Sequence, residues 1–238
     1  MRTKTLLLTA ALVAAGAATS LAQTVYSVNA VGYINLPLGS GFNLIANQLN
    51  GSPDNKLKTV IPLPLDGSQD FDTFLAWDSA SQGFAQPQYW LSAGPSGANY
   101  YQGDFSTVST SSFNPGEGAF LNVGTPFTLT LVGEVPQGTL TVPVVSGFNC
   151  ISIKSPQSLA LTGPPPGGAE LAPGDFDSII RWSNPSGAFT PSVYFVGGGW
   201  VAADFSTAVP PPSPAVGEGF FYNAGLATTW TRTFNVSP

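Results

Sequence analysis

The chain is written twice. Gly41-Phe42-Asn43-Leu44-Ile45 returns as Gly147-Phe148-Asn149-Cys150-Ile151, and Asp70-Phe71-Asp72-Thr73 with Trp77 returns as Asp175-Phe176-Asp177-Ser178 with Trp182. Asp104-Phe105-Ser106-Thr107 returns as Asp204-Phe205-Ser206-Thr207, and Gly116-Glu117-Gly118-Ala119-Phe120 as Gly217-Glu218-Gly219-Phe220-Phe221. Four blocks in one order at a spacing of 100 to 106 residues specify two tandem units of about a hundred residues, since finer solenoids repeat every few tens. Aligning Tyr33-Ile34-Asn35-Leu36-Pro37 with Thr139-Leu140-Thr141-Val142-Pro143 places the units at residues 24–135 and 136–238. Only Pro136-Gln137-Gly138 separates their strands, and so short a turn predicts that the units pack against each other.

Each unit reads as all-β. Charged residues are only 8% of the chain, while Gly, Pro, Ser, Thr and Asn are frequent, the composition of short strands joined by turns. Phe127-Thr128-Leu129-Thr130-Leu131 and Thr139-Leu140-Thr141-Val142-Pro143-Val144 alternate apolar side chains with threonines, as half-buried antiparallel strands do. Only Leu57 to Ile61, between Asn55 and Pro62, suits a helical turn. The expectation is six or seven strands per unit, arranged as a β-sandwich or an open barrel.

Ahead of the repeats, Arg2 and Lys4 precede an apolar run from Leu6 to Ala18 and the small residues of Ser20-Leu21-Ala22, the pattern of a signal peptide over residues 1–22. The expected product is exported: extracellular, at the cell surface or periplasmic. No cysteine follows the cleavage site to carry a lipid, and no later apolar run is long enough for a transmembrane segment. Setting Arg2 and Lys4 aside leaves five basic residues against thirteen acidic ones, an inventory unsuited to nucleic acid. Histidine is absent, which excludes Ser-His-Asp and Cys-His catalysis and His-containing zinc sites. The single cysteine, Cys150, stands where the first unit has Leu44, so it reads as a small buried apolar residue.

Residues held in both units are assigned to what the units share, the fold. Phe42/Phe148, Phe71/Phe176, Trp77/Trp182, Phe84/Phe189, Tyr89/Tyr194, Phe105/Phe205 and Phe120/Phe221 are expected to fill the two cores. Eight of the thirteen acids are duplicated and none of the five basic residues is, so shared salt bridges cannot be their task. They read as carboxylates that accept backbone N–H groups at turns. The sharper reading is a calcium ion in each unit, held by Asp70 and Asp72 and by Asp175 and Asp177, as the only cofactor the sequence offers. Glu117 and Glu218 are the pair a glycosidase would need, but they hold equivalent places in separate units and read as a repeated turn.

Aromatic residues that differ between copies are the remaining candidates. Trp200, Phe220 and Tyr222, with Tyr100 and Tyr101, are weak candidates for ligand binding: if Phe221 is core, strand geometry turns Phe220 and Tyr222 to the outer face or the seam between units. Exposed aromatic rings stack on sugars or on another protein.

Ser27-Val28-Asn29-Ala30-Val31-Gly32-Tyr33-Ile34-Asn35, Gly41-Phe42-Asn43-Leu44-Ile45-Ala46-Asn47 and Gly217-Glu218-Gly219-Phe220-Phe221 together resemble a family of uncharacterised exported bacterial proteins. In that pattern a signal peptide precedes two β units, each opening on Gly-aromatic-Asn-Leu-Ile and closing on Gly-Glu-Gly-aromatic. This chain departs from it at Ala119 and Cys150. The resemblance implies no activity. A looser likeness runs to Gly-Trp-Asn-Leu-Ile segments of secreted surface proteins, where such units accompany adhesive or carbohydrate-active parts. The functional expectation is a non-catalytic structural or adhesive module at the cell surface or in the extracellular matrix, meeting a glycan, a surface protein or a second copy of itself. A carbohydrate-binding protein is the alternative, and a secreted hydrolase a distant one.

Overall fold

The computed structural model describes residues 30–236, so the expected signal peptide lies outside the described residues. The first half contributes β1 (Val31–Leu38), β2 (Gly41–Ala46), the helical turn α1 (Leu57–Val60), β3 (Thr73–Asp78), β4 (Gly83–Phe84), β5 (Gln88–Gly94), β6 (Gly97–Tyr101), β7 (Gly118–Val123) and β8 (Phe127–Glu134). The second contributes β9 (Gly138–Val144), β10 (Gly147–Ile151), β11 (Ser178–Ile180), β12 (Trp182–Ser183), β13 (Ala188–Phe189), β14 (Val193–Val196), β15 (Gly199–Val201), β16 (Ala208–Val209), β17 (Phe220–Ala224) and β18 (Thr228–Phe234). The chain is all-β and sandwich-like. Its strands are short, as expected, and more numerous than six or seven per unit, because Gly and Pro interrupt the pairing every few residues.

Corresponding segments take corresponding places. One sheet runs β2-β7-β3-β5-β6, with β4 paired to the end of β3; the other runs β10-β17-β11-β14-β15-β16, with β12 and β13 as a separate ribbon. Two long ribbons, β1 with β8 and β9 with β18, each cover one face of a sheet. The alternation seen in the sequence holds: Leu129, Leu131, Leu140, Val142 and Val144 are buried, while Thr128, Thr130, Thr139 and Thr141 are not. Ile34, Leu38, Leu129 and Leu131 of the first ribbon pack on Ile45, Phe74, Trp90 and Leu121 of the first sheet.

The repeated motifs are turn-making devices. In Gly-Phe-Asn, the Asn43 side chain donates to the carbonyls of Gly39 and Gly41 and accepts the Gly39 N–H, and Asn149 does the same with Val145 and Gly147. Each closes the turn that leads from the ribbon into the sheet. In Gly-Glu-Gly, the first glycine takes a positive φ, 96° at Gly116 and 77° at Gly217, which is cheap only without a Cβ. The glutamate then caps its own turn: Glu117 accepts the Asn114 N–H at 2.7 Å and Glu218 the Ala215 N–H at 2.9 Å.

The last glycine of that motif lets the halves meet. A Cβ on Gly219 would stand 2.8 Å from the Ile45 carbonyl oxygen and 3.2 Å from Gly118 Cα. The backbones are joined there in matching fashion, with Ala46 N–H donating to the Gly217 carbonyl and Ser152 N–H to the Gly116 carbonyl, each at 2.8 Å. Bridges between Ile45 and Glu218 and between Ile151 and Glu117 extend the contact. The ends of edge strands β2 and β10 are thus paired rather than left open.

A cluster of Leu44, Phe120, Cys150 and Phe221 fills the seam, with Leu75, Trp77, Phe148, Ile180 and Trp182 packed on it. Reciprocal hydrogen bonds cross it: Trp77 Nε1–H to the Phe148 carbonyl at 2.8 Å and Trp182 Nε1–H to the Phe42 carbonyl at 2.9 Å. Cys150 is buried here, and burial pushes its thiol well above the usual range.

Candidate functional site

The aromatic residues singled out for binding are buried, and Phe220 and Tyr222 lie neither on the outer face nor at the seam, the two places expected for them. Tyr100, Tyr101, Phe220 and Tyr222 are each 0% exposed and Trp200 is 4% exposed. Their polar ends are used internally: Tyr100 Oη donates to the Ile61 carbonyl, Tyr101 Oη to the Gly97 carbonyl, Trp200 Nε1–H to Thr162 Oγ1 and Tyr222 Oη to Asp177. The alternation along β17 is as expected, but both of its faces are interior. Phe221 meets the seam cluster, and Phe220 and Tyr222 fill the second half's own core.

The duplicated aromatics are elsewhere than expected too. Phe42/Phe148, Trp77/Trp182, Phe84/Phe189 and Phe120/Phe221 gather at the seam, not in two separate cores. Phe71, Phe105 and Tyr89 instead form a surface cluster, with ring centroids 5.7 Å apart for Phe71 and Phe105 and 5.0 Å for Tyr89 and Phe105. Phe176, Phe205 and Tyr194 repeat it at 6.2 and 4.6 Å. Phe71 and Phe176 are 61% and 66% exposed, Phe105 and Phe205 41% and 50%. All four phenylalanines sit at positive φ, between 53° and 70°. For a bulky residue that conformation costs about 1–2 kcal/mol, and rings this exposed recover little of it by burial.

The aspartates hold these loops in shape. Asp104 accepts the N–H groups of Ser106 and Thr107 and the Thr107 hydroxyl, and Asp204 repeats the set. Those hydrogen bonds, from the threonine hydroxyl first, pull both carboxyls below the usual range, Asp204 to about 2. Asp70 accepts the N–H and hydroxyl of Ser92, and Asp175 the Gly197 N–H.

Asp72 and Asp177 reach the next turn, accepting the N–H of Gly124 and of Gly225. The segment from Gln69 to Asp72 is a turn closed by Asp72 N–H to the Gln69 carbonyl, not the extended stretch that would place Asp70 and Asp72 side by side for calcium. Among the described residues no group of three acidic, cysteine or histidine side chains converges. The melting temperature is therefore expected to be the same in EDTA and in millimolar calcium, and a calcium-dependent rise of several degrees would restore the metal reading.

Glu117 and Glu218 each line a pocket at the seam. Around Glu117 it measures about 470 Å³ and is walled by β3, the Asn114–Gly118 turn, β9 and β10. Around Glu218 it measures about 350 Å³ and is walled by the matching segments, Arg181 to Pro185, Ala215 to Glu218, and β1 and β2. Arg181 pairs with Glu218 side-on, Nε to Oε1 at 2.6 Å and Nη2 to Oε2 at 2.7 Å, which raises the guanidinium pKa further. The first half has Ala76 at that position. Sequence reasoning passed over this pair, although one signal was present: a basic residue gained in one copy beside an acid kept in both. Among the described residues no helix is long and apolar enough to cross a membrane. No family model, curated protein or solved structure matches the chain.

Proposed function

We propose that the chain is a non-catalytic exported module that holds to surfaces, a structural or adhesive β-protein acting outside the cytoplasm. The observation that carries this reading is the pair of matching aromatic clusters, Phe71-Phe105-Tyr89 and Phe176-Phe205-Tyr194. A strained, exposed phenylalanine contributes little to folding, yet the chain keeps four of them in two equivalent places. Backbone strain kept at an exposed site favours a role at the surface. Two equivalent patches on one frame also favour bivalent attachment, which strengthens weak contacts to a repetitive surface without any deep pocket. The carboxylates favour the same reading: the eight duplicated acids each accept hydrogen bonds from neighbouring turns, which is structural work and not acid–base chemistry.

The test is retention on insoluble polysaccharides and on cell-envelope fractions. Asparagine tolerates positive φ, so Phe71→Asn with Phe176→Asn is expected to leave the melting temperature unchanged or slightly higher. The same double variant is expected to lower the retained fraction by roughly tenfold or more, because losing both patches removes the avidity of two-point contact. Equal retention of variant and parent would remove the reading. Loss on polysaccharide but not on envelopes assigns the partner as a glycan, and the reverse assigns a surface protein.

A further inference from the structure

We infer that the pocket around Glu117 is a binding site for a guanidinium group. The chain itself displays what such a pocket holds. Around Glu218 the Arg181 guanidinium meets the carboxylate through two parallel N–H···O bonds, while Oε2 also accepts the Ala215 N–H. Around Glu117 the same turn stands on the same Gly-Glu-Gly frame, with Asn114 N–H on Oε2, but Ala76 takes the place of the arginine. The pocket is correspondingly roomier, about 470 against about 350 Å³. Glu117 has no cation within ion-pair distance, the ion pairs among the described residues being Lys56 with Asp54 and Arg181 with Glu218.

The Glu117 carboxylate also accepts the exposed Asn114 side-chain amide on Oε1 at 3.1 Å, a neutral contact that Ala215 cannot make in the duplicate and that an incoming guanidinium would displace. A half-buried carboxylate in a cavity whose duplicate holds a guanidinium suits the fork of an arginine better than a point charge. Lys154 lines the same pocket, but its ammonium donates to the Thr141 carbonyl at 3.0 Å and stays outside ion-pair range of Glu117. It weakens the local negative potential without supplying paired N–H groups. An arginine side chain of another polypeptide and a free guanidinium compound share the chemistry this site selects.

The experiment is an NMR titration of the whole protein with N-acetyl-L-arginine amide, followed at the amides of Gly116 and Gly118. Saturable shifts are expected below about 20 mM, with N-acetyl-L-lysine amide binding more weakly. Glu117→Gln keeps an acceptor for the Asn114 N–H and is expected to weaken binding roughly tenfold or more, as the loss of a charged hydrogen-bond partner does. Ala76→Arg is expected to fill the pocket from within, abolishing binding and raising the melting temperature. Arg181→Ala is expected to lower the melting temperature and to add a second equivalent of binding at Gly217 and Gly219. Absence of saturable shifts in the parent, or unchanged binding in both Glu117→Gln and Ala76→Arg, would overturn the proposal. Tighter binding of the peptide Gly-Gly-Arg-Gly-Gly than of the capped amino acid supports the site with a polypeptide source, and equal binding supports it with a free compound.

Discussion

Alanine at Gly219 is expected to destabilise the protein by about 3 kcal/mol, the upper range for forcing one carbon into a packed interior. The reason is what the new methyl group meets. The Ile45 carbonyl oxygen at 2.8 Å and Gly118 Cα at 3.2 Å are backbone atoms of two paired segments, and neither can rotate away as a side chain does. Relief requires the halves to separate where Ala46 donates to Gly217 and where Ile45 bridges Glu218, so the strain spreads into the backbone bonds that join them. Gly118→Ala meets Cys150 Sγ at 2.9 Å and the Ile151 carbonyl at 3.3 Å, a somewhat softer wall, and is expected to cost less. Gly83 has nothing within 4 Å of its Cβ position, and its alanine variant is expected to lie within about 0.5 kcal/mol of the parent. Urea denaturation with unchanged m-values measures all three. If Gly219→Ala matched Gly83→Ala, the halves would not be held at this close approach in solution.

Much of this architecture is legible in the residues, and the limits are equally instructive. Alternation along Phe127 to Leu131 and Thr139 to Val144 gave strands with the correct face inward, because each ribbon has one solvated side. The same period set Phe220 and Tyr222 opposite Phe221 but not in the second half's core, because alternation reports two faces without saying whether the second meets water or packed side chains. The duplicated acids were legible as turn-makers, since Asp and Glu kept in both copies without a shared cation leave the backbone as their partner. The exposed phenylalanines were not. Their placement depends on a left-handed backbone at Phe71, Phe105, Phe176 and Phe205, and nothing in the side chain announces that. Conservation of an aromatic between copies therefore marked a shared environment, which here is the seam or the surface and not the core.

Asparagine at Asp72 is expected to stabilise the protein at neutral pH and to flatten its dependence on pH between 4 and 6. In the second half, Asp177 receives three donors: Gly225 N–H, Gly174 N–H and the Tyr222 hydroxyl. Asp72 keeps only the Gly124 N–H: Leu121 stands in place of the tyrosine, and the Gln69 N–H makes no bond to it of the kind Gly174 makes to Asp177. Its Oδ2 is buried without a hydrogen-bond partner, as is Gln69 Oε1. Burial above all, with some repulsion from Asp70, pushes the Asp72 carboxyl up to about 6 from 3.8, and the Gly124 N–H offsets this only in part. A raised carboxyl pKa means that the folded state binds the proton more tightly than the unfolded chain. The stability linked to Asp72 is thus fully present below pH 3.8 and declines as pH rises to about 6, by about 3 kcal/mol in all. Asp104 and Asp204 act in the opposite sense, their lowered pKa values withdrawing stability only as pH falls below the usual carboxylate range. Hydrogen bonds lower the pKa values of Asp54, Asp66 and Asp78 as well, so Asp72 is the carboxyl expected to withdraw stability as pH rises from 4 to 6. Asparagine keeps an acceptor for Gly124 and puts N–H donors where the buried acceptors lack them, so the gain is expected above pH 6 and to vanish near pH 4. Asp177→Asn is expected to behave oppositely, losing stability at neutral pH because Gly174 and Tyr222 both donate to one oxygen. Urea midpoints of the parent and both variants across pH 4 to 7 decide the matter, and a parent curve that rises through this interval as steeply as it was expected to fall would exclude the assignment to Asp72.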